Sequence, residues 1–499
     1  MEWSDSLTPG TILLIISVYF LLLLVVARIT GKESDNTIFF TAGRKSPWFV
    51  VAFGMIGASL SGVTFISIPG VVGAGAYNQA FSYLQMVMGY LLGYAVISAI
   101  LLPAYYKLSL TTIYGFLEQR LGFFAYKTGA AYFLLSRVIG ASFRLFLVAM
   151  VLDQFVFGPM GVPFYVTVML TIVLIWIYTF QGGIKTIVWT DSIQTLSMLG
   201  AVAVSVFLIT REMGWGLGDM TREIRDSGLG QIFFTTGGWE DPNNFFKQFI
   251  SGALITIVMT GLDQDMMQKN LTCKNLKEAQ LNMGVFSVIL FFANLLFLSL
   301  GALLYLYAAE KGIAIPESSD QLFPEIALNH LPAMAGLLFI IGIIAAAYSS
   351  ADSALTSLTT AFCVDFLNFE HRHDWTEKQK KTRRLIVHLA FSLLLFTVIM
   401  IFERFSDEAV IHQLFVAAGY TYGPLLGLFA FAFFMKNKKM DHWGVIAVCI
   451  LSPLLAYWIN SNSAEWFDGF QWGYLILLVN GLLCFAGLWI LSLFTSKAS

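Results

Sequence analysis

Charged residues are scarce in this chain, and their scarcity is its most informative absence. Asp, Glu, Lys and Arg make up 12% of the 499 residues, whereas hydrophobic residues make up 57%. Soluble globular proteins carry about 25% charged residues, so a soluble fold is excluded and a polytopic membrane protein is predicted. No block of basic residues indicates a nucleic-acid partner.

Cysteine is also rare, and the four cysteines lack the paired spacing of disulfide frameworks or zinc sites. The first residues lack the basic charges of a cleavable signal peptide, so residues 11–28 are interpreted as a retained first span. The longest polar interruptions, 212–244 and 366–382, are too short for a separate soluble domain.

Apolar stretches long enough to cross a bilayer recur along the chain and predict thirteen spans. They lie near residues 11–28, 47–72, 78–103, 125–156, 163–180, 187–211, 245–267, 279–309, 325–364, 384–403, 408–435, 443–460 and 471–494. With the N-terminus outside and the C-terminus in the cytoplasm, most of the 29 basic residues, Lys269 among them, fall in inner loops. The positive-inside rule favours this orientation.

The second apolar stretch is rich in residues that weaken a helix. Between Gly57 and Gly70 it holds three glycines and four hydroxyl side chains. A helix that opens in mid-membrane exposes carbonyls, which is tolerated only beside a water-filled cavity or a bound ion. Because small residues also allow close packing of membrane helices, this stretch alone leaves both interpretations open.

A polar stripe follows one face of the predicted span 325–364. At helical spacing it contains Ser349, Ser350, Asp352, Ser353, Thr356, Ser357 and Thr360. An ionisable Asp352 at bilayer depth indicates an ion or substrate path, and hydroxyl, carbonyl and carboxylate oxygens are the ligands of hard cations. A zipper of hydroxyls between helices would explain the serines but not the aspartate.

Three other charged residues in predicted spans are candidates for the site. Asp191 follows a Gly-Gly turn at a depth compatible with Asp352, so it belongs to the same ion site or else caps its helix or pairs with Lys185. Arg144 is a candidate to neutralise a buried carboxylate. Arg137 either does the same or presents its fork to a carboxylate of a substrate.

Several motifs together resemble the sodium/solute symporter family, whose members transport proline, sugars, pantothenate, monocarboxylates and sialic acid. They are Phe40-Thr-Ala-Gly-Arg-Lys-Ser-Pro-Trp48, the stretch 57–70, Thr112-Ile-Tyr-Gly-Phe-Leu-Glu-Gln-Arg120, residues 182–194, Gly261-Leu-Asp-Gln-Asp-Met-Met-Gln268, residues 345–353 and Gly419-Tyr-Thr-Tyr-Gly-Pro424. The resemblance implies an all-α, LeuT-like fold of two inverted five-helix repeats with broken first core helices. The repeats would be 47–211 and 245–435, with a leading span in 1–46 and two trailing spans in 436–499.

The resemblance also implies two groups of sodium ligands. The principal sodium would bind the carbonyls of Gly57, Leu60 and Ala346 and the hydroxyls of Ser349 and Ser350. A second sodium, present in some members, would bind Asp191, Ser349 and Ser353. Asp352 departs from the family pattern, and it would strengthen the second site or bind a proton or an arginine instead.

The residues expected to contact the solute follow from the same resemblance. The pattern of residues 60–69 is most similar to that of the sialic-acid-transporting members, which implies contacts from Ser61, Thr64, Gln85 and Arg137. The mostly apolar residues 252–260 argue against a neutral sugar.

The expected function is the import of a small carboxylated solute with Na⁺ across the plasma membrane, the inner membrane in a bacterium, by a protein that works as a monomer. Proton coupling, which Asp352 leaves open, and sodium-coupled transport of a neutral sugar or polyol are the alternatives. An intramembrane enzyme using Asp191 and Asp352 is disfavoured because no nucleophile–base motif accompanies them.

Overall fold

The structure is a computed structural model that describes residues 9–30, 36–73, 78–404, 409–435 and 438–495. Its α-helices are α1 (Pro9–Thr30), α2 (Asn36–Thr41), α3 (Trp48–Ser59), α4 (Gly62–Val71), α5 (Tyr83–Val96), α6 (Leu102–Lys107), α7 (Gly115–Arg120), α8 (Phe123–Leu152), α9 (Phe164–Glu212), α10 (Leu217–Asp226), α11 (Phe245–Thr256), α12 (Gln264–Asn270), α13 (Leu276–Lys311), α14 (Leu322–Glu325), α15 (Ala333–Ala361), α16 (Glu377–Phe402), α17 (Val410–Thr421), α18 (Gly423–Phe434), α19 (Gly444–Trp466) and α20 (Ile476–Thr495). Apart from a single β-bridge between Ser46 and Cys273, the regular structure of the described residues is helical.

Helices that could cross a membrane account for most of the described chain. Nine are long and apolar enough, and three bent pairs raise the number to twelve if each pair is one span. The short apolar helix Phe164–Ile177 lies where the fifth span is predicted. The all-helical polytopic class is confirmed, whereas the count of thirteen, the orientation and the repeat boundaries stay predictions.

Helix breaks occur where the sequence weakens the helix. α3 and α4 meet at 55°, α11 and α12 at 68°, and α17 and α18 at 45°. Within α9, Gly183 adopts φ 54°, ψ −148°, and a Cβ there would clash with the ring of Phe39. Because only glycine adopts this conformation without strain, the Gly-Gly turn divides α9 into two helices.

The long helix α15 lies in the centre of the protein. It packs along α9 and contacts α3, α4, α8 and α12, and every residue from Ile343 to Ala361 is buried. The alanines and serines of this helix allow close approach of its neighbours. As a result the polar stripe of α15 faces protein, beside the breaks of two other helices.

Candidate functional site

The break between α3 and α4 occupies two residues. Leu60 (φ −82°, ψ 75°) and Ser61 (φ −79°, ψ −178°) leave the helical conformation, and the helix resumes at Gly62. The last carbonyls of α3 therefore have no amide one turn ahead to bond. The negative end of the α3 dipole and the positive end of the α4 dipole lie at this point, which suits a cation on one side and an anion on the other.

The residues predicted for the principal sodium lie around this break. Gly57 is so close to its neighbours that a Cβ there would clash with Thr195 Oγ1 and lie 3.1 Å from Ser349 Oγ. Leu60 and Ala346 are fully buried. The hydroxyls of Ser349 and Ser350 are buried without a hydrogen-bond partner among the described residues. Because buried hydroxyls are normally bonded, these oxygens are available to a cation.

Among the residues predicted for a second sodium, Asp191 is already paired with a cationic side chain. The ammonium Nζ of Lys269 on α12 lies 2.6 Å from Asp191 Oδ2, and both side chains are fully buried. This position corrects the assignment of Lys269 to an inner loop, since a salt bridge holds it inside the protein. Asp191 thus pairs with Lys269 rather than with Lys185.

A second buried ion pair lies next to the first. Asp265 Oδ2 accepts a hydrogen bond from the guanidinium of Arg137, and Asp265 Oδ1 accepts one of 2.5 Å from Ser353 Oγ. Asp352 is fully buried one residue before Ser353. The two ion pairs and the bond from Ser353 therefore link α8, α9, α12 and α15.

A cavity opens beside the broken helix. It has about 690 Å³ of empty space, part of it continuous with solvent. Its walls include Ser61, Thr64, Tyr83, Tyr90, Tyr94, Arg137, Arg144, Thr256, Thr260, Asn294 and Phe415. Hydroxyls, aromatic rings and two guanidinium groups thus surround a space that is partly open to solvent.

Of the four residues predicted to contact a solute, Ser61, Thr64 and Arg137 line the cavity, and Gln85 does not. The Gln85 amide donates to the carbonyls of Asn243 (2.9 Å) and Ser82 (3.2 Å) and accepts from the backbone of Phe234 (3.1 Å). In this conformation Gln85 holds a loop to α5 with both ends of its amide.

Arg144 follows Arg137 on α8. It lines the cavity, is 9% exposed, and forms no ion pair with any residue in the described part of the chain. Its Nε also has no hydrogen-bond partner there. Arg144 is therefore the cavity guanidinium without a carboxylate of its own.

Hydrogen bonds join residues 105–114 to the break between α11 and α12. Tyr105 and Tyr114 donate to the carbonyls of Gly261 (2.9 Å) and Leu262 (3.0 Å), where α11 gives way to α12. Gln264 accepts from the amide of Ile113 (2.9 Å). These contacts hold the second broken helix against α6 and the segment between α6 and α7.

Sequence reasoning missed Asp265 and Lys269. Both follow the second helix break, and their spacing of four residues places them on one face of α12. Two acids within the predicted span 245–267 were a usable signal, because carboxylates at bilayer depth require partners. The identity of those partners, Arg137 and Asp191, has no local signal.

Comparisons with known proteins agree with this architecture. The sequence profile of the Sodium:solute symporter family matches residues 39–451. The Sodium/sialic acid symporter SiaT of Proteus mirabilis is 24% identical over 469 residues, covering 90% of this chain and 89% of the relative. A sodium-dependent multivitamin transporter of Oryctolagus cuniculus is 25% identical over 486 residues, covering 92% and 72%.

A solved structure of a Na⁺-coupled sialic acid symporter, in a substrate-bound outward-open state, superposes with a TM-score of 0.82 at 20% identity. The match covers 97% of this chain and 98% of that chain. The predicted LeuT-like fold is therefore confirmed.

Proposed function

Because the chain belongs to the sodium:solute symporter family, we propose that it carries a small organic solute with a carboxylate group together with sodium. The protein is a sodium-coupled symporter and not an enzyme, and Na⁺ is its co-transported substrate. The carboxylated solutes that fit this proposal are a sialic-acid-like sugar acid, an amino acid or a monocarboxylate.

The positive lining of the cavity is the observation that carries the proposal. Arg137 and Arg144 both line it, and so do Ser61 and Thr64 at the N-terminal end of α4. The unpaired amides of a helix N-terminus attract anions, and a guanidinium matches the geometry of a carboxylate. A neutral sugar would leave the Arg144 charge without a carboxylate partner at bilayer depth.

The two guanidiniums are proposed to act differently. Arg137 forms an ion pair with Asp265 through one of its terminal nitrogens. Arg144 has no such partner among the described residues, so it is the stronger candidate for direct contact with the solute. Arg137 remains a proposed contact through the part of its fork that faces the cavity.

The proposed sodium ligands support coupling because they adjoin the cavity. Leu60, whose carbonyl is a proposed ligand, is followed at once by Ser61, a proposed solute contact. Binding of both species at one break would stabilise the same conformation, as alternating access requires. Each sodium that enters down a potential of 100 mV contributes about 2.3 kcal/mol to uptake.

Uptake by purified protein in proteoliposomes tests the proposal. Labelled N-acetylneuraminate, proline, lactate and glucose would each be offered with an inward gradient of sodium, and with choline replacing sodium as the control. We expect sodium-dependent uptake of at least one carboxylated solute and none of glucose. Uptake of glucose alone would contradict the carboxylate proposal, and uptake driven by a pH gradient in choline would favour proton coupling.

A further inference from the structure

The Lys269–Asp191 pair lies where a second sodium would need its carboxylate. Asp191 is the acidic ligand proposed for that ion, and Lys269 Nζ is 2.6 Å from its Oδ2 with both side chains fully buried. An ammonium and a sodium ion carry the same charge. The buried ammonium offsets the charge of the carboxylate, and a second cation at the remaining oxygen would be repelled by the first.

The other proposed ligand of the second sodium is also engaged. Ser353 Oγ donates a hydrogen bond of 2.5 Å to Asp265, whose second oxygen accepts from Arg137. In contrast, Ser349 and Ser350 have buried hydroxyls without hydrogen-bond partners among the described residues. In the second-sodium group, Asp191 Oδ1 has no hydrogen-bond partner among the described residues, but a buried ammonium already bonds the other oxygen of this carboxylate and Ser353 is bonded to Asp265. The principal group has no such cation bonded to it among the described residues.

We infer that the ammonium of Lys269 takes the place of a second sodium, so that this protein couples one sodium ion to each solute. The inference rests on the proposed function and adds the coupling ratio to it. Lys269 sits on α12, directly after the second helix break, and Asp191 sits on α9. The lysine therefore ties α12 to α9, and it does so through the carboxylate by which a second sodium would join α9 to α15.

Sodium binding to the purified full-length protein tests the inference without knowledge of the solute. Equilibrium binding of ²²Na⁺ would give the number of ions per protein, and a sodium titration of tryptophan fluorescence would give the Hill coefficient. We expect one ion and a Hill coefficient of about 1 for the wild type. Two ions per wild-type protein would overturn the inference while leaving sodium coupling intact, and no saturable binding would overturn both.

Variants of Lys269 provide the second part of the test. Lys269→Gln removes the ammonium, so Asp191 becomes available and we expect two sodium ions per protein. Lys269→Arg keeps a cation and should still bind one, and adding Asp191→Asn to Lys269→Gln should return the count to one. A folded Lys269→Gln protein that still binds a single sodium would contradict the role given to the lysine. Should that variant not fold, the wild-type count alone decides.

Discussion

Two serines three residues apart on α15 provide a sharp test of the sodium site. Ser350 Oγ is buried and has no hydrogen-bond partner among the described residues, whereas Ser353 Oγ donates a 2.5 Å bond to Asp265. Ser350→Ala therefore removes no bond within the protein and one proposed ligand of sodium. Ser353→Ala removes a bond within the protein and no proposed ligand of the principal sodium.

The expected sizes of the two effects follow from this difference. An interaction between a neutral polar group and a charged one contributes about 1.5–3 kcal/mol, and each 1.4 kcal/mol is about a tenfold change in affinity. Ser350→Ala should thus raise the half-saturating sodium concentration about 10- to 100-fold with little change in thermal stability. Ser353→Ala should lower the free energy of unfolding by about 1.5–3 kcal/mol, because the bond to Asp265 is lost.

Sodium titration of purified wild type and both variants, combined with thermal unfolding in choline, measures both quantities. Choline keeps the ionic strength constant and removes the stabilisation that bound sodium gives to the folded state. An unchanged sodium affinity in Ser350→Ala would refute the assignment of this hydroxyl. An equal loss of sodium affinity in Ser353→Ala would refute the separation of the two serines.

Three further predictions concern buried charges. Arg144→Gln should weaken binding of a carboxylated solute about 10- to 100-fold, and unchanged affinity in a solute-binding assay would exclude direct contact. Arg137→Gln strands Asp265 and should cost about 3–5 kcal/mol of stability, much of which the double variant with Asp265→Asn should restore in thermal unfolding. Burial raises the pKa of the Asp320 carboxyl above its ordinary value, against the opposing bond from the Val410 amide. Because the pKa of Asp320 is higher in the folded than in the unfolded protein, the stability of the wild type falls as pH rises between these two pKa values. Asp320→Asn should therefore be as stable as wild type below about pH 4 and more stable than wild type above that pH range. A difference in melting temperature that does not change with pH would contradict this prediction.

Local composition predicted the polar face of α15 and allowed a helix break between Gly57 and Gly70, which the family resemblance then implied. Hydropathy located the spans because every backbone polar group in a bilayer needs an internal partner, which restricts the chain to helices of one length. The glycines between Gly57 and Gly70 marked the first break, since a helix that opens there needs flexible residues. The helical repeat placed Ser349, Ser350 and Ser353 near one another, because residues three and four apart share a face.

The tertiary structure alone decided which buried charges meet. The sequence places Lys269 in a predicted inner loop, whereas in the structure it pairs with Asp191, 78 residues earlier in the chain. The sequence leaves Arg137 open between a buried carboxylate and a solute, and the structure pairs it with Asp265, 128 residues later. Each pair forms because the packing of helices far apart in sequence brings two charges together at bilayer depth, where a cation without a partner is costly. No local pattern encodes that choice of partner, and the proposed coupling ratio and the proposed solute contact of Arg144 both depend on it.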